Sequence, residues 1–294
     1  MGNSKKKVSI IIPHYNQKEC LEVLLPSIAN QTFTDYEVII IDDCSPDKSV
    51  AEYIKSFIKD YKNMRLVENA ENMRFIKTVN KGIKLAEGDY ICLLNSDTEV
   101  KSNFVQRNVE IMDADPSIGG LTCILVDKDV KNWFSGGRFK NGFIMNLVDE
   151  FNGIRLVDFV AGTACFYQKE VFDKIGLFDE NFAMYHEDVE FGLRMKAKTN
   201  YKACVFAEKL VVHYGVPSIP SADFYYYLSR SHMMLLRRYE KRYIPVTLFV
   251  HTLRQIAGLL LISLLKRDGK PLLLSKHVIR GTLDGLAGRL SHSR

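Results

Sequence analysis

The sequence predicts an α/β fold: a mostly parallel, Rossmann-like sheet flanked by helices, with a C-terminal helical appendage. Three observations carry this. Strand-like and helix-like runs alternate three times within the first hundred residues, the pattern of right-handed crossovers in a parallel sheet. The hydrophobic run in GDYICLLNSDTEV (Gly88 to Val100) ends abruptly in Asn95, Ser96 and Asp97, and the carboxyl ends of strands are where open α/β sheets bind ligands. Beyond Ser221 the alternation gives way to a tyrosine-rich helix and a long apolar stretch, which divides the chain into residues 1–220 and a basic, amphipathic region over 221–294.

The elements follow in order. Val8 to Ile12 is a β-branched strand stopped by Pro13, and apolar spacing makes Glu19 to Gln31 a helix. Tyr36 to Ile41 is a second strand that runs into Asp42, Asp43, Cys44 and Ser45, with Asp42 expected to cap the turn. Ser49 to Tyr61 is helical, Met64 to Glu68 a short strand, Phe75 to Glu87 a helix stopped by Gly88, and Tyr90 to Leu94 the next strand. A helix over Asn103 to Asp113 and a strand over Leu121 to Val126 lead into a Gly-rich aromatic patch (Trp133, Phe134, Gly136, Gly137, Phe143), read as irregular β structure or a covering hairpin. Phe159 to Tyr167, with Gly162 and Thr163 inside it, is strand-like. Lys169 to Ile175 is a short helix ending at Gly176, Asp188 to Lys198 another, and Ala203 to Val212 a final strand closed by His213.

Tyr225 to Tyr239 is a helix carrying Arg230, Arg237 and Arg238, and Ile244 to Leu265 is apolar apart from His251, Arg254 and Gln255. That stretch could span a bilayer by length, yet Arg254 near its middle would cost about 2.5–3.5 kcal/mol. Basic flanks at Arg237, Arg238, Lys241, Arg242, Lys266, Arg267 and Lys270 favour a pair of helices lying on an anionic membrane surface, with a structural cap or homo-oligomer interface as the alternative.

Composition excludes several classes. The 47% hydrophobic content supports a large core rather than disorder, and a net charge of +5 is too modest to imply nucleic acid. The six cysteines contain no CxxC pair and fall mostly in apolar runs, as expected of reduced thiols in the cytoplasm. Lys5, Lys6 and Lys7 precede an apolar run too short for a signal peptide, so none is expected. A dinucleotide site needs GxGxxG after the first strand, and a nucleotidyltransferase needs a Gly-rich basic phosphate loop; PHYNQKE supplies neither.

Candidate chemistry gathers at four places: Asp42 and Asp43, Asn95 and Asp97, Glu187 and Asp188, and His213. Asn95 and Asp97 offer hard oxygens that suit Mg²⁺ or Mn²⁺ bridging a diphosphate, although the same residues also make ordinary Asx turns. In chain order, VSIIIPHYNQ, QTFTDYEVIIIDDCSPD, NKGIKLAEGDYICLLNSDTEV, AGTACFYQKEVFDKIGLFDENFAMYHEDVEFGLRMK and VVHYG resemble the large family 2 of inverting glycosyltransferases with a GT-A fold. The resemblance covers roughly residues 7 to 215. Within the family the pattern is most similar to bacterial rhamnosyltransferase-like enzymes of O-antigen and capsule assembly, including the tail ending in DGLAGRL.

The resemblance implies a site. Asp43 would accept the N3–H of a uracil or thymine nucleotide, Pro13 and Tyr15 would line the base pocket, and Asn95 and Ser96 would complete the nucleotide contacts. Asp97 would hold Mn²⁺ or Mg²⁺, with His213 as a further metal or diphosphate contact. Asp188 would be the general base, while Glu187, Gly162 and Thr163 would contact the sugar substrates. It further implies a dTDP- or UDP-sugar donor, a lipid-linked or oligosaccharide acceptor, and work at the inner face of the cell membrane. A non-catalytic nucleotide-sugar-binding component of a polysaccharide assembly complex is the alternative.

This chain departs from the family pattern twice. Asn95 stands where Asp-x-Asp is frequent, and Arg74 stands where a glycine is usual in the Asn-x-Gly-Phe stretch, which either prevents close backbone approach there or adds a phosphate contact. No QxxRW motif and no series of clear spans is present, which favours transfer of one sugar over processive synthesis. Arg194 is read as a helix-surface or ion-pair residue outside the site.

Overall fold

The computed structural model describes residues 7–215, 221–266 and 270–289. Lys5, Lys6 and Arg267, named above for their charge, and Leu290 of the tail motif lie outside them. The first half alternates as expected: β1 (Val8–His14), α1 (Lys18–Ala29), β2 (Tyr36–Asp42), α2 (Lys48–Ile58), β3 (Met64–Glu68), α3 (Phe75–Leu85) and β4 (Tyr90–Leu94). β1 pairs in parallel with β2 and β4, and β2 with β3. Every residue of β1, β2 and β4 is buried, because helices cover both faces of the sheet; this is why these strands are continuous apolar runs without alternation. Gly82 lets α3 press onto the sheet, since a methyl group there would collide with Ile11 and Ile41.

The second half adds β5 (Thr98–Val100), α4 (Phe104–Ala114), β6 (Ile118–Val126), β7 (Asn132–Phe134), β8 (Gly136–Lys140), β9 (Phe143–Leu147), β10 (Ile154–Val157), β11 (Ala164–Gln168), α5 (Lys169–Ile175), α6 (Glu187–Lys198) and β12 (Lys202–His213). The main path of the sheet runs β10-β12-β6-β11-β4-β1-β2-β3, with β5 on β12 and β7 on β6. β11 lies antiparallel between β4 and β6, so the sheet is mixed on this side.

One expectation changes. The run from Phe159 to Tyr167 is strand only from Ala164. Phe159 bridges to Gly137, and the Thr163 carbonyl takes the Asn95 N–H at 2.8 Å, so Gly162 and Thr163 form a turn at the sheet's rim. The aromatic patch is β structure, as expected: β7 on the edge of β6, followed by a separate β8–β9 hairpin.

Beyond Ser221 come α7 (Ala222–Tyr239), α8 (Ile244–Thr247), a π-helical turn over Leu248–Thr252, α9 (Leu253–Lys266) and α10 (Lys270–Ala287). α7 is no loose appendage. Met233, Met234, Leu235 and Leu236 belong to the same hydrophobic cluster as the sheet, and Tyr226 donates to Asp284 of α10 at 3.0 Å. The stretch Lys241–Leu261 differs: it is long and apolar enough to cross a membrane by length and composition, and 12% of it is buried.

Candidate active site

Asp43 follows β2 directly, and its own N–H donates to the His14 carbonyl at 2.8 Å, which fixes it beside the end of β1. It lines a pocket of about 310 Å³ together with Pro13, Tyr15, Arg74, Phe75 and Met184. Pro13, Tyr15 and Asp43 are therefore brought together, whereas Asn95 and Ser96 are not among the lining residues. The Asp43 carboxylate is buried and already bonded: Oδ1 accepts from Asn69 Nδ2 at 2.7 Å and Met73 N at 2.8 Å, and Oδ2 accepts from Arg74 N at 2.8 Å. A carboxylate offers about four acceptor directions, so one on Oδ2 remains for a ligand N–H. His14 adds no cation here, because burial pushes its pKa down to about 4 against the opposing pull of Asp42 and Glu19. Asp42 caps the turn, accepting from Ser45 N at 3.1 Å.

Arg74 adopts φ 66°, a backbone conformation that favours glycine. Its guanidinium bonds the Tyr227 hydroxyl of α7 and lies 5.5 Å from that ring's centroid. The substitution at the expected glycine position thus links the pocket rim to the C-terminal region.

The turn after β4 carries the second group. Asp97 Oδ2 and His213 Nε2 are 3.2 Å apart, and both residues are mostly buried. β5 and β12 pair His213 with Thr98, and Tyr214 N donates to the Asp97 carbonyl at 2.9 Å, so the register itself sets this proximity. Among the described residues no group of three or more His, Cys, Asp and Glu side chains could hold a metal by itself. One carboxylate with one imidazole nevertheless fits Mn²⁺ or Mg²⁺ of the kind that takes one or two protein ligands and fills its shell with substrate phosphates and water.

The third group opens α6. Asp188 Oδ2 accepts from Gly162 N at 3.1 Å and Oδ1 from Val189 N at 2.8 Å. A β-carbon built on Gly162 would sit 3.8 Å from Glu187 Oε1, which puts the Gly162–Thr163 turn against both carboxyls. Glu187 Oε2 is buried without a hydrogen-bond partner. Burial, and then the Asp188 charge, push the Glu187 carboxyl up to about 8. Burial also raises Asp188, while the Gly162 and Val189 N–H groups pull it down. Two acids this close cannot both ionise cheaply, so the pair holds a proton where a lone surface carboxylate would have lost it.

What sequence reasoning missed is how this helix start is held. Ala183, Tyr185 and His186 all have positive φ, each at a cost of about 1–3 kcal/mol. α7 fixes this loop: the fully buried Arg230 donates to the Asn181 carbonyl at 2.7 Å, and Ser231 to the Met184 carbonyl at 3.1 Å. Glu190, one turn into α6, accepts from Arg194 at 2.9 Å, Arg238 at 3.2 Å and Tyr239 at 3.0 Å. Arg194 is thus the ion-pair residue expected. The only visible signal for the rest was the concentration of arginine on α7.

Residues 9–176 match the family described as Glycosyl transferase family 2. The amylovoran biosynthesis glycosyltransferase AmsB of Erwinia amylovora is 27% identical over 218 residues, 74% of this chain and 69% of AmsB. The glycosyltransferase YibD of Escherichia coli is 39% identical over 100 residues, which are 34% of this chain but 28% of YibD. Among solved structures, GalNAc-T7 with UDP, GalNAc and Mn²⁺ superposes with a TM-score of 0.67 at 16% identity, over 82% of this chain and 49% of that one. The mannosyltransferase PcManGT of Pyrobaculum calidifontis, with GDP-Man and Mn²⁺, gives a TM-score of 0.60 at 14% identity over 97% of this chain and 88% of that one. At such identities the likeness speaks to the fold, which is of the GT-A type.

Proposed function

The chain belongs to glycosyl transferase family 2, and from that premise we propose that it moves one sugar, with inversion, from a nucleoside-diphosphate donor to a glycan acceptor in cell-surface polysaccharide assembly. One observation carries the reading. Asn95 N bonds the Thr163 carbonyl at 2.8 Å, and Gly162 N bonds Asp188 at 3.1 Å, so the turn bearing Asp97 and the helix start bearing Asp188 form one frame.

In this reading the base sits in the Asp43 pocket, where the free acceptor direction of Oδ2 takes the N3–H of uracil or thymine. Asp97 and His213 would hold Mn²⁺ or Mg²⁺, which supplies charge neutralisation for the departing nucleoside diphosphate. Asp188 accepts the proton of the acceptor hydroxyl as that oxygen bonds to the anomeric carbon; the bond from that carbon to the diphosphate oxygen breaks on the opposite face. Glu187, protonated over much of the neutral range, donates a hydrogen bond to a sugar oxygen, and the main chain of Gly162 and Thr163 lines the same space.

AmsB, named for amylovoran biosynthesis, supports a role in polysaccharide assembly, and the Mn²⁺ beside nucleotide ligands in the two neighbouring structures supports the cation. One of those structures holds UDP and the other GDP-Man, so the fold alone does not select the base. The choice of a UDP-hexose or dTDP-rhamnose rests on Asp43 and on the sequence pattern. We further assign Lys241–Leu261 to the inner surface of the membrane, where a lipid-linked acceptor would be met.

The test is a thermal-shift panel of UDP-, dTDP- and GDP-sugars with and without Mn²⁺. A uracil or thymine donor should stabilise the protein only with the cation, and Asp97→Ala should abolish both the shift and turnover. Transfer that persists in excess EDTA would sink the metal assignment.

A further inference from the structure

Trp133 is the chain's one tryptophan, and it stands on the short edge strand β7 with 38% of its surface exposed. Phe134, the next residue, is 1% exposed and pairs with Leu125, while Asn132 pairs with Val126, so Trp133 is the extra residue at an irregularity in the β6–β7 register. The register places Asn132 opposite Val126 of β6, and Val126 opposite Val212 of β12. The indole therefore reaches across β6 to the end of β12, where its ring centroid lies 4.5 Å from that of His213 at an interplanar angle of 48°. Exposure of a large aromatic ring to water is unfavourable, and nothing in the strand pairing needs an indole there.

We propose that Trp133 is a positioning residue for the cation centre: its indole packs at a tilt against the His213 imidazole and restrains the ring plane that aims Nε2 at Asp97. This rests on the reading of Asp97 and His213 as cation ligands. The torsion that turns a histidine ring is broad and weakly held by its own chemistry. Contacts behind a metal-binding histidine therefore decide whether its lone pair points at the ion; hydrogen-bonding partners in that position are worth about 10–100-fold in metal affinity, and a packing contact is expected to lie at the low end of that range. Because no other tryptophan competes, its emission reports on this one place.

The experiment titrates Mn²⁺ into the full chain with saturating UDP or dTDP, reading free Mn²⁺ by EPR and tryptophan emission in parallel. Bound Mn²⁺, being paramagnetic and beside the indole, should quench emission saturably with the midpoint that EPR gives. Trp133→Ala should weaken Mn²⁺ about 10-fold in protein whose metal-free melt is still a cooperative unfolding transition, and Trp133→Phe should restore most of the loss. Mn²⁺ that EPR finds bound while emission stays constant, or a Trp133→Ala protein that binds Mn²⁺ like the wild type, overturns the positioning role alone. No Mn²⁺ binding by the wild-type chain overturns this role and the cation reading together.

Discussion

Asp43 holds the Asn69, Met73 and Arg74 donors and still keeps one acceptor direction on Oδ2. Asp43→Ala should therefore weaken UDP or dTDP by about 1–3 kcal/mol, the worth of a buried hydrogen bond to a charged group. Calorimetric titration that finds unchanged affinity would rule out Asp43 as the base-reading residue. Glu187 makes a different kind of prediction. Its ordinary value of 4.5 is raised to about 8 in the folded chain. Between these values the folded state holds a proton that the unfolded chain has released, so the stability due to this group is lost as pH rises through that window. Glu187→Gln cannot ionise, so its melting temperature should gain on the wild type steadily from pH 5 to 8; a constant difference contradicts the burial argument. Asp43, Asp97 and Asp188 were legible as candidates because strand ends and helix starts are legible. The collar of Asn69, Met73 and Arg74 was not, since it reaches Asp43 from a loop 26 to 31 residues away.

At the scale of elements, the C-terminal helices separate into two roles that sequence patterning had merged. α7 is a structural brace. Arg238, expected as a membrane-facing charge, pairs instead with Asp179 at 2.5 Å and with Glu190, and Arg237 bonds the Gly285 carbonyl at 3.4 Å. Both are explained by proximity to α6 and α10, which no local periodicity encodes. Lys241 and Arg242 remain at the surface, at the start of a stretch that also exposes Val246, Phe249, Leu253 and Leu261. We expect this stretch to bind anionic vesicles, with about 1 kcal/mol from each basic residue at the surface and a larger share from apolar burial. Flotation should retain the protein on phosphatidylglycerol-containing vesicles and lose it on Phe249→Glu with Leu253→Glu. Equal recovery of both proteins in the vesicle-free fraction would leave this face to another partner. The short strands β5 and β10 were missed because runs of three or four residues carry too few side chains to establish a period.

For the whole molecule, the parallel half of the sheet was legible because each crossover is local. The antiparallel insertion of β11 between β4 and β6 was not, because it depends on pairings across 42 or more residues, such as Thr122 with the Ala164 carbonyl. That insertion matters for function: it carries the Gly162–Thr163 turn to the rim and so joins the turn of Asp97 to the start of α6. The central claim is that this rim performs inverting sugar transfer with Asp188 as the base. The most direct measurement compares Asp188→Asn with the wild type on the donor found in the panel, reading donor affinity, turnover and the anomeric configuration of the product by NMR. Donor binding should survive while turnover falls by about 10²–10⁴-fold. The wild-type product should be inverted: an α-rhamnoside from β-linked dTDP-L-rhamnose, or a β-hexoside from an α-linked UDP-hexose. Near-normal turnover in the variant, or a product of retained configuration, would contradict the account.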